Sequence, residues 1–172
     1  MVPDVTLSTD VIVGFSGETE ADFADTLSLL EEVGYVGVYA FKYSPRPHTP
    51  ALKLADDVDE ADKKSRLARL FEVSERSMQR HLQTLVGTRQ RVLIEGPSSS
   101  RPENMSGRSE RNEIVHVPGV SHLDIRGELV DVDITRAFKH SLFGEISDES
   151  RASLAPLPTA MGQRKLPVVS AS

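Results

Sequence analysis

The stretch Thr9-Asp10-Val11-Ile12-Val13-Gly14-Phe15, with the residues 19–43 that follow a short turn (TEADFADTLSLLEEVGYVGVYAFKY), decides how the first half of the chain is read. Residues 9–15 are a short β-branched run that ends near glycine, the pattern of a buried strand. Ser16-Gly17-Glu18-Thr19 predicts a turn, with Thr19 as a candidate N-cap and Asp22 three positions on. Phe23, Leu27, Leu30 and Val33 then recur at helical spacing, and Gly34 stands where a glycine stop is expected. Tyr35 to Tyr43 is a second apolar, β-rich run. Strand, helix and strand in this order imply a parallel pair joined by a right-handed crossover.

Working outward, Ser44-Pro45-Arg46-Pro47-His48-Thr49-Pro50 holds three prolines, which remove amide donors and fix the backbone. It reads as a loop at a strand C-terminus, where parallel α/β folds carry their ligand sites. Arg46 there either grips a carboxylate or phosphate with its planar fork or is an exposed loop arginine. His48 has no other histidine near it in sequence and is assigned no role. Glu18, Glu20 and Asp22 sit at a helix start, where negative charge suits the dipole, and that reading is preferred to acid–base work.

A long helix follows, roughly Glu60 to Leu85. Leu67, Leu70, Phe71, Met78, Leu82 and Leu85 share one arc, interrupted by Ser74. Arg66, Arg69, Arg76 and Arg80 share nearly the opposite arc, with Val73 among them. Two readings compete for that arc: a solvated basic face, or a surface that tracks a phosphate backbone.

From Gly87 the pattern changes. Gln90–Glu95, Ile114–Val117, Gly127–Thr135 and Ser141–Ile146 read as short strands separated by Gly, Pro and Ser clusters, and Val130, Val132 and Ile134 alternate with Asp131 and Asp133. They predict a small all-β barrel of the oligonucleotide-binding kind. Beyond Ile146 no period survives, and the composition predicts a disordered tail. The expected domains are 1–85, 86–147 and a tail at 148–172.

Lys and Arg number 20 against 26 Asp and Glu, a net charge of −6, so RNA binding has to come from a local patch. No apolar run reaches about 18 residues and no charged-then-apolar leader opens the sequence, which predicts a cytoplasmic chain. Cysteine is absent, so no disulfide forms and no thiolate holds zinc or an iron–sulfur cluster.

Two segments carry a resemblance. One is Thr9 to Glu20 with Asp22-Phe23; the other is Phe41-Lys42-Tyr43-Ser44-Pro45-Arg46-Pro47 with Thr49-Pro50-Ala51. In this order they resemble the last part of the radical-SAM barrel of the MiaB-type tRNA methylthiotransferases. Gly87, Val92 to Gly96, Ser98, Gly107-Arg108, Asn112 and Gly127 then resemble the recurring positions of a TRAM domain, an RNA-binding barrel. The resemblance covers roughly four-fifths of the chain. It implies a fold in two parts, a partial TIM-like barrel and then an OB-like TRAM barrel. It also implies methylthiolation of an isopentenyl-adenosine beside a tRNA anticodon, using S-adenosylmethionine and two iron–sulfur clusters. The cysteines for those clusters belong to N-terminal regions of the family that have no counterpart here.

The expectation is therefore a gene fragment, split product or degenerate copy that does not catalyse by itself. Its expected partners are tRNA and a separate N-terminal radical-SAM portion. The alternatives are a free-standing RNA-binding module and an inactive remnant. Ser16 replaces a usual proline, which loosens its turn without removing a ligand, and His48 replaces a usual glycine, which puts the geometry of the proline loop in question.

By resemblance, Ile12, Gly14, Phe41, Lys42 and Tyr43 are expected near S-adenosylmethionine. Read without the resemblance, Gly14 and Gly17 flank an ordinary βα turn, and Phe41 and Tyr43 pack a barrel. Arg89, Arg91, Arg108, Arg111 and Asn112 join the helix arginines Arg66, Arg69, Arg76 and Arg80 as RNA contacts. Glu95, Glu110 and Glu113 weaken the local field. Phe138 and Phe143 fall late and read as packing residues, so recognition by phosphate and shape is expected rather than stacking.

Overall fold

The computed structural model describes residues 5–154 except 100, 121 and 124. The chain runs β1 (Ser8–Val13), α1 (Glu20–Val33), β2 (Gly37–Lys42), a 3-10 turn (Pro50–Lys53), α2 (Glu60–Thr84), β3 (Arg89–Pro97), β4 (Met105–Ser109), β5 (Ile114–Val117), β6 (Leu129–Ala137), β7 (Leu142–Ile146) and α3 (Asp148–Ser153). It divides into two compact units. One holds the residues up to Thr88 together with Ile134–Phe143; the other holds Arg89–Asp133 and the chain from Gly144.

In the first unit β1 and β2 pair in parallel, as the strand–helix–strand pattern predicts, with Asp10 opposite Tyr39 and Ile12 opposite Phe41. The caps of α1 are those expected from its sequence. The Thr19 hydroxyl accepts from the Asp22 amide at 3.2 Å, and the Asp22 carboxylate accepts from the Thr19 amide at 2.8 Å. Gly34 closes the helix at φ 70°, a left-handed position that favours glycine. Val13 and Ala40 on one sheet face pack with Phe23 and Leu30 of α1 and with Leu70 and Val73 of α2. The opposite face carries Ile12, Tyr39 and Phe41, which are 56%, 62% and 60% exposed.

The inward face of α2 differs from the one its hydrophobic pattern predicts. Lys63, Arg66, Leu70, Val73 and Ser77 are buried, whereas Phe71 on the expected apolar arc is 47% exposed. The buried positions recur every three to four residues, so they are one true helical face. It is half polar because Arg66 meets Glu18 just before α1 and Lys63 meets Asp56 just before α2, while the methylene stems of both lie in the interior.

β3 to β7 close a barrel in the order β3-β4-β5-β7-β6. The small all-β barrel is thus borne out. Its interior is filled by Val92, Ile94, Val115, Val117, Val120, Ile125, Val130, Val132, Ile134, Leu142 and Ile146. β4 carries no apolar alternation and is not legible in the sequence. Its Gly107 explains why: an added Cβ would lie 2.1 Å from the Leu93 carbonyl oxygen. Gly144 on β7 is similarly confined, with the Asp133 carbonyl oxygen 2.6 Å from the Cβ position. Strands that approach this closely leave no room for a side chain.

The tail expectation needs correction at its start. Asp148–Ser153 form α3, because the Ser147 hydroxyl caps the Ser150 amide at 3.2 Å and the Ser150 hydroxyl accepts from the Asp131 amide at 3.0 Å. From residue 155 on, that expectation lies outside the described residues.

Candidate nucleic-acid interface

The four helix arginines are neither a uniform solvated face nor a uniform phosphate track. Arg66 is only 7% exposed. Its Nη1 donates to the Glu18 carboxylate at 2.7 Å and to the Glu18 carbonyl at 3.0 Å. Its Nε lies 3.6 Å from the Glu20 carboxylate without a hydrogen bond. Arg69 donates to Glu20 at 2.5 Å and stands 4.8 Å from the centre of the Phe23 ring. That hydrogen bond, with the charges of Arg69 and Arg66 behind it, holds the Glu20 carboxyl below its ordinary value. Arg76 pairs with Glu31 at 2.8 Å. Among the described residues Arg80 forms no ion pair; it lines a shallow groove with Glu31, Arg76, Gln79 and Gln83. Arg66 therefore fastens the turn after β1 to α2.

On the barrel, the register sets arginines opposite carboxylates across β3 and β6: Arg89 faces Asp133 and Arg91 faces Asp131. Arg89 grips Asp133 with two parallel bonds of 2.7 and 3.0 Å and reaches Glu149 at 3.1 Å. The bond from Arg89 lowers the Asp133 pKa and raises that of the guanidinium. Arg91 lies 3.6 Å from Asp131. The acidic neighbours that neutralise β3 thus come from β6 and α3, which sequence distance hides.

The turn between β4 and β5 is different. Arg108 Nη1 donates to the Asn112 carbonyl at 3.1 Å, with Glu95 3.8 Å from its Nε. Arg111 forms no ion pair among the described residues and is exposed. Asn112 holds φ 71°, a left-handed position that asparagine tolerates, so its first role is to make the turn. Arg108, Arg111 and Asn112 are the predicted contacts that the structure brings together on one projecting turn.

Of the residues expected near S-adenosylmethionine, Ile12 and Phe41 are register partners on the open face of the β1–β2 sheet. Asp10 and Tyr39 share that face; sequence reasoning missed them, although the two-residue period of each strand was the signal. The other three point elsewhere. The Gly14 amide donates to the Glu18 carboxylate at 2.6 Å, and a Cβ on Gly14 would lie 2.3 Å from Lys63 Cγ. Lys42 pairs with Glu60, and Lys63 with Asp56. The Tyr43 ring packs edge-on against Phe15 at 4.9 Å. The Gly17 amide is taken by Asp57 at 2.8 Å. The amides of this glycine turn are thus occupied by the chain's own carboxylates, and Lys42 lies on the sheet face opposite Ile12 and Phe41. An iron–sulfur cluster fits less well still, since the 172 residues include no cysteine.

Residues 83–147 match the family model described as TRAM domain. The chain is 54% identical to the tRNA-2-methylthio-N(6)-dimethylallyladenosine synthase of Sorangium cellulosum (strain So ce56), over 99% of this chain and 36% of that protein. It is 45% identical to the synthase of the same name from Ralstonia pickettii (strain 12J), over 89% of this chain and 35% of that protein. With the one from Cupriavidus necator it shares 48% over 84% of this chain and 33% of that protein. The chain thus spans about a third of the length of the curated relatives it matches. Among the described residues no helix is long and apolar enough to cross a membrane. The closed barrel lies where the TRAM model matches, and the chain as a whole matches the C-terminal part of proteins named tRNA-2-methylthio-N(6)-dimethylallyladenosine synthase.

Proposed function

We propose that this chain is the RNA-holding part of a tRNA methylthiotransferase, active in methylthiolation of isopentenyl-adenosine only when joined to the cysteine-bearing portion it lacks. One observation carries the reading: 54% identity over nearly the whole chain to a named synthase, in a sequence with no cysteine. The first unit supports it, since a two-stranded parallel sheet with Ile12, Tyr39 and Phe41 in solvent is the kind of surface that further strands of a TIM-like barrel would cover. In that assembly Ile12 and Phe41 would form an apolar wall for S-adenosylmethionine, and cysteines of the other portion would hold two clusters, one to start the radical reaction and one to supply sulfur. A tRNA substrate puts the work in the cytoplasm.

RNA contact rests on Arg108, Arg111 and Asn112 of the β4–β5 turn and on Arg80 of α2. Arg69, Arg76, Arg89 and Arg91 contribute only if RNA phosphates displace their carboxylate partners. The test is binding of the purified chain to an isopentenylated tRNA across a salt series. Affinity that falls steeply with salt is the expected result, and absence of binding at low salt by a folded chain overturns it. Mixing with a cysteine-bearing N-terminal portion then asks for methylthiolated product. Salt-dependent binding without reconstituted activity would favour a free-standing RNA-binding module instead.

A further inference from the structure

The β6–β7 hairpin has a surface that none of the expected RNA contacts includes. Phe138, at its tip, is 50% exposed. Its ring meets that of the partly buried Phe143 edge-on, with centroids 6.1 Å apart at 81°. The Arg136 guanidinium lies over both rings, 5.1 Å from the centre of Phe143 and 6.0 Å from that of Phe138. Arg136 has no carboxylate partner among the described residues, unlike Arg89 and Arg91. The turn is held shut, because the Phe138 amide donates to the Ser141 carbonyl at 2.7 Å and the Thr135 hydroxyl to the Phe143 carbonyl at 3.2 Å. Lys139 and His140 flank the tip, both drawn to Glu75, at 2.5 and 3.6 Å.

Burial of an apolar core does not explain this arrangement. Phe41 and Phe71 are exposed to a similar degree; what sets Phe138 apart is the guanidinium over its ring, which has no carboxylate partner among the described residues. An exposed ring next to a guanidinium is what an unpaired nucleobase needs: a π-face to stack on, and a positive charge within reach of the adjoining phosphate. A rigid hairpin lowers the ordering cost of presenting it.

We infer that Phe138, backed by Phe143 and Arg136, is a stacking platform for one unpaired base of the bound RNA. This rests on the RNA-binding reading above and adds a mode, base stacking, to the phosphate contacts of the β4–β5 turn. A partner protein at the same patch is the competing occupant, favoured if tRNA binds without changing the emission of Phe138→Trp.

The chain has no tryptophan, so Phe138→Trp supplies a single fluorophore at the platform. Titration with an isopentenylated tRNA quenches its emission if a base stacks there. Phe138→Ala weakens binding of the same tRNA by at least about fivefold, the low end for loss of one stacked base, with an unchanged salt slope. Arg136→Ala weakens it and also lowers the slope by about one. Phe138→Tyr keeps a ring and binds as the parent does, a control that does not depend on the alanine variant folding. If the parent binds tRNA with a steep salt dependence but Phe138→Trp emission and Phe138→Ala affinity do not change, the stacking platform is overturned and the RNA-binding reading stands. If the folded parent does not bind tRNA at all, both fall.

Discussion

The two parts of the molecule handle their surfaces in opposite ways. The barrel closes on itself around a buried apolar interior and sets Arg89 and Arg91 of β3 against carboxylates on β6. The β1–β2 sheet covers only one face, leaves Ile12, Tyr39 and Phe41 in water, and draws charged groups such as Arg66 and Lys63 into its interior. A closed barrel has no edge to complete, whereas a two-stranded sheet rarely stands without further strands or helices. The difference teaches that closure removes the sheet edges in the barrel, whereas the parallel pair keeps its edges and one open apolar face.

The sharpest way to break that comparison is Gly107→Val. Its Cβ would fall 2.1 Å from a backbone oxygen, and a backbone cannot move aside as a side chain can. The barrel should lose about 4 kcal/mol or more, while the α1 and α2 circular-dichroism signal persists. A fully folded Gly107→Val barrel would contradict the close approach.

Next is Arg66→Ala. Removing it strands Glu18, whose side chain is 13% exposed, and should cost about 3 kcal/mol in a urea titration, the low end for breaking a buried pair. Its tRNA affinity should stay within about twofold of the parent, because the residue points inward. A large loss of affinity with unchanged stability would instead restore it to the interface.

His48 holds φ 65°, where a side chain is strained. His48→Gly should therefore raise stability by about 1 kcal/mol, readable as a higher urea midpoint. No gain would mean that the imidazole makes up for the strain.

Acid should act on both units. Glu20, Asp22, Asp133 and Glu149 are held below ordinary values of 4.5 and 3.8, first by Arg69, the Thr19 hydroxyl, Arg89 and the Glu149 backbone amide respectively. The unfolded chain then binds more protons, so the stability they give is complete above about pH 4.5 and is lost as pH falls through the native values. Burial lowers the His116 pKa from 6.5, and it adds a loss that begins just below that pH. Urea midpoints between pH 7 and 3 check both; a flat profile contradicts the depressed carboxyls.

The smallest effect belongs to the open face. Phe41→Ser should change stability by less than about 0.5 kcal/mol, since the side chain is 60% exposed. A large destabilisation would show that this face is already covered, for instance by a second copy, and ultracentrifugation would detect that copy.

Local chemistry was legible from the residues alone. The Thr19–Asp22 box, the Gly34 stop, the alternation at Val130, Val132 and Ile134, and the want of cysteine each depend on neighbours a few positions away, or on composition. So did the motifs at Thr9 to Phe15 and Phe41 to Pro47 that carry the resemblance. The interface was legible only in part. Arg108, Arg111 and Asn112 share a turn because they are adjacent in sequence, but nothing near Arg89 announces Asp133, and nothing near Arg66 announces Glu18, 48 residues away.

Which arginines face water, which strand needs glycine for close approach, and which phenylalanine stands beside a free cation depend on pairs far apart in the chain. Sequence by itself determined most elements, though not β4 or α3, together with the resemblance and the absence of cysteine ligands. Only the tertiary structure decided where each charge and ring ended up, because burial and pairing belong to residues that folding, not chain order, makes neighbours.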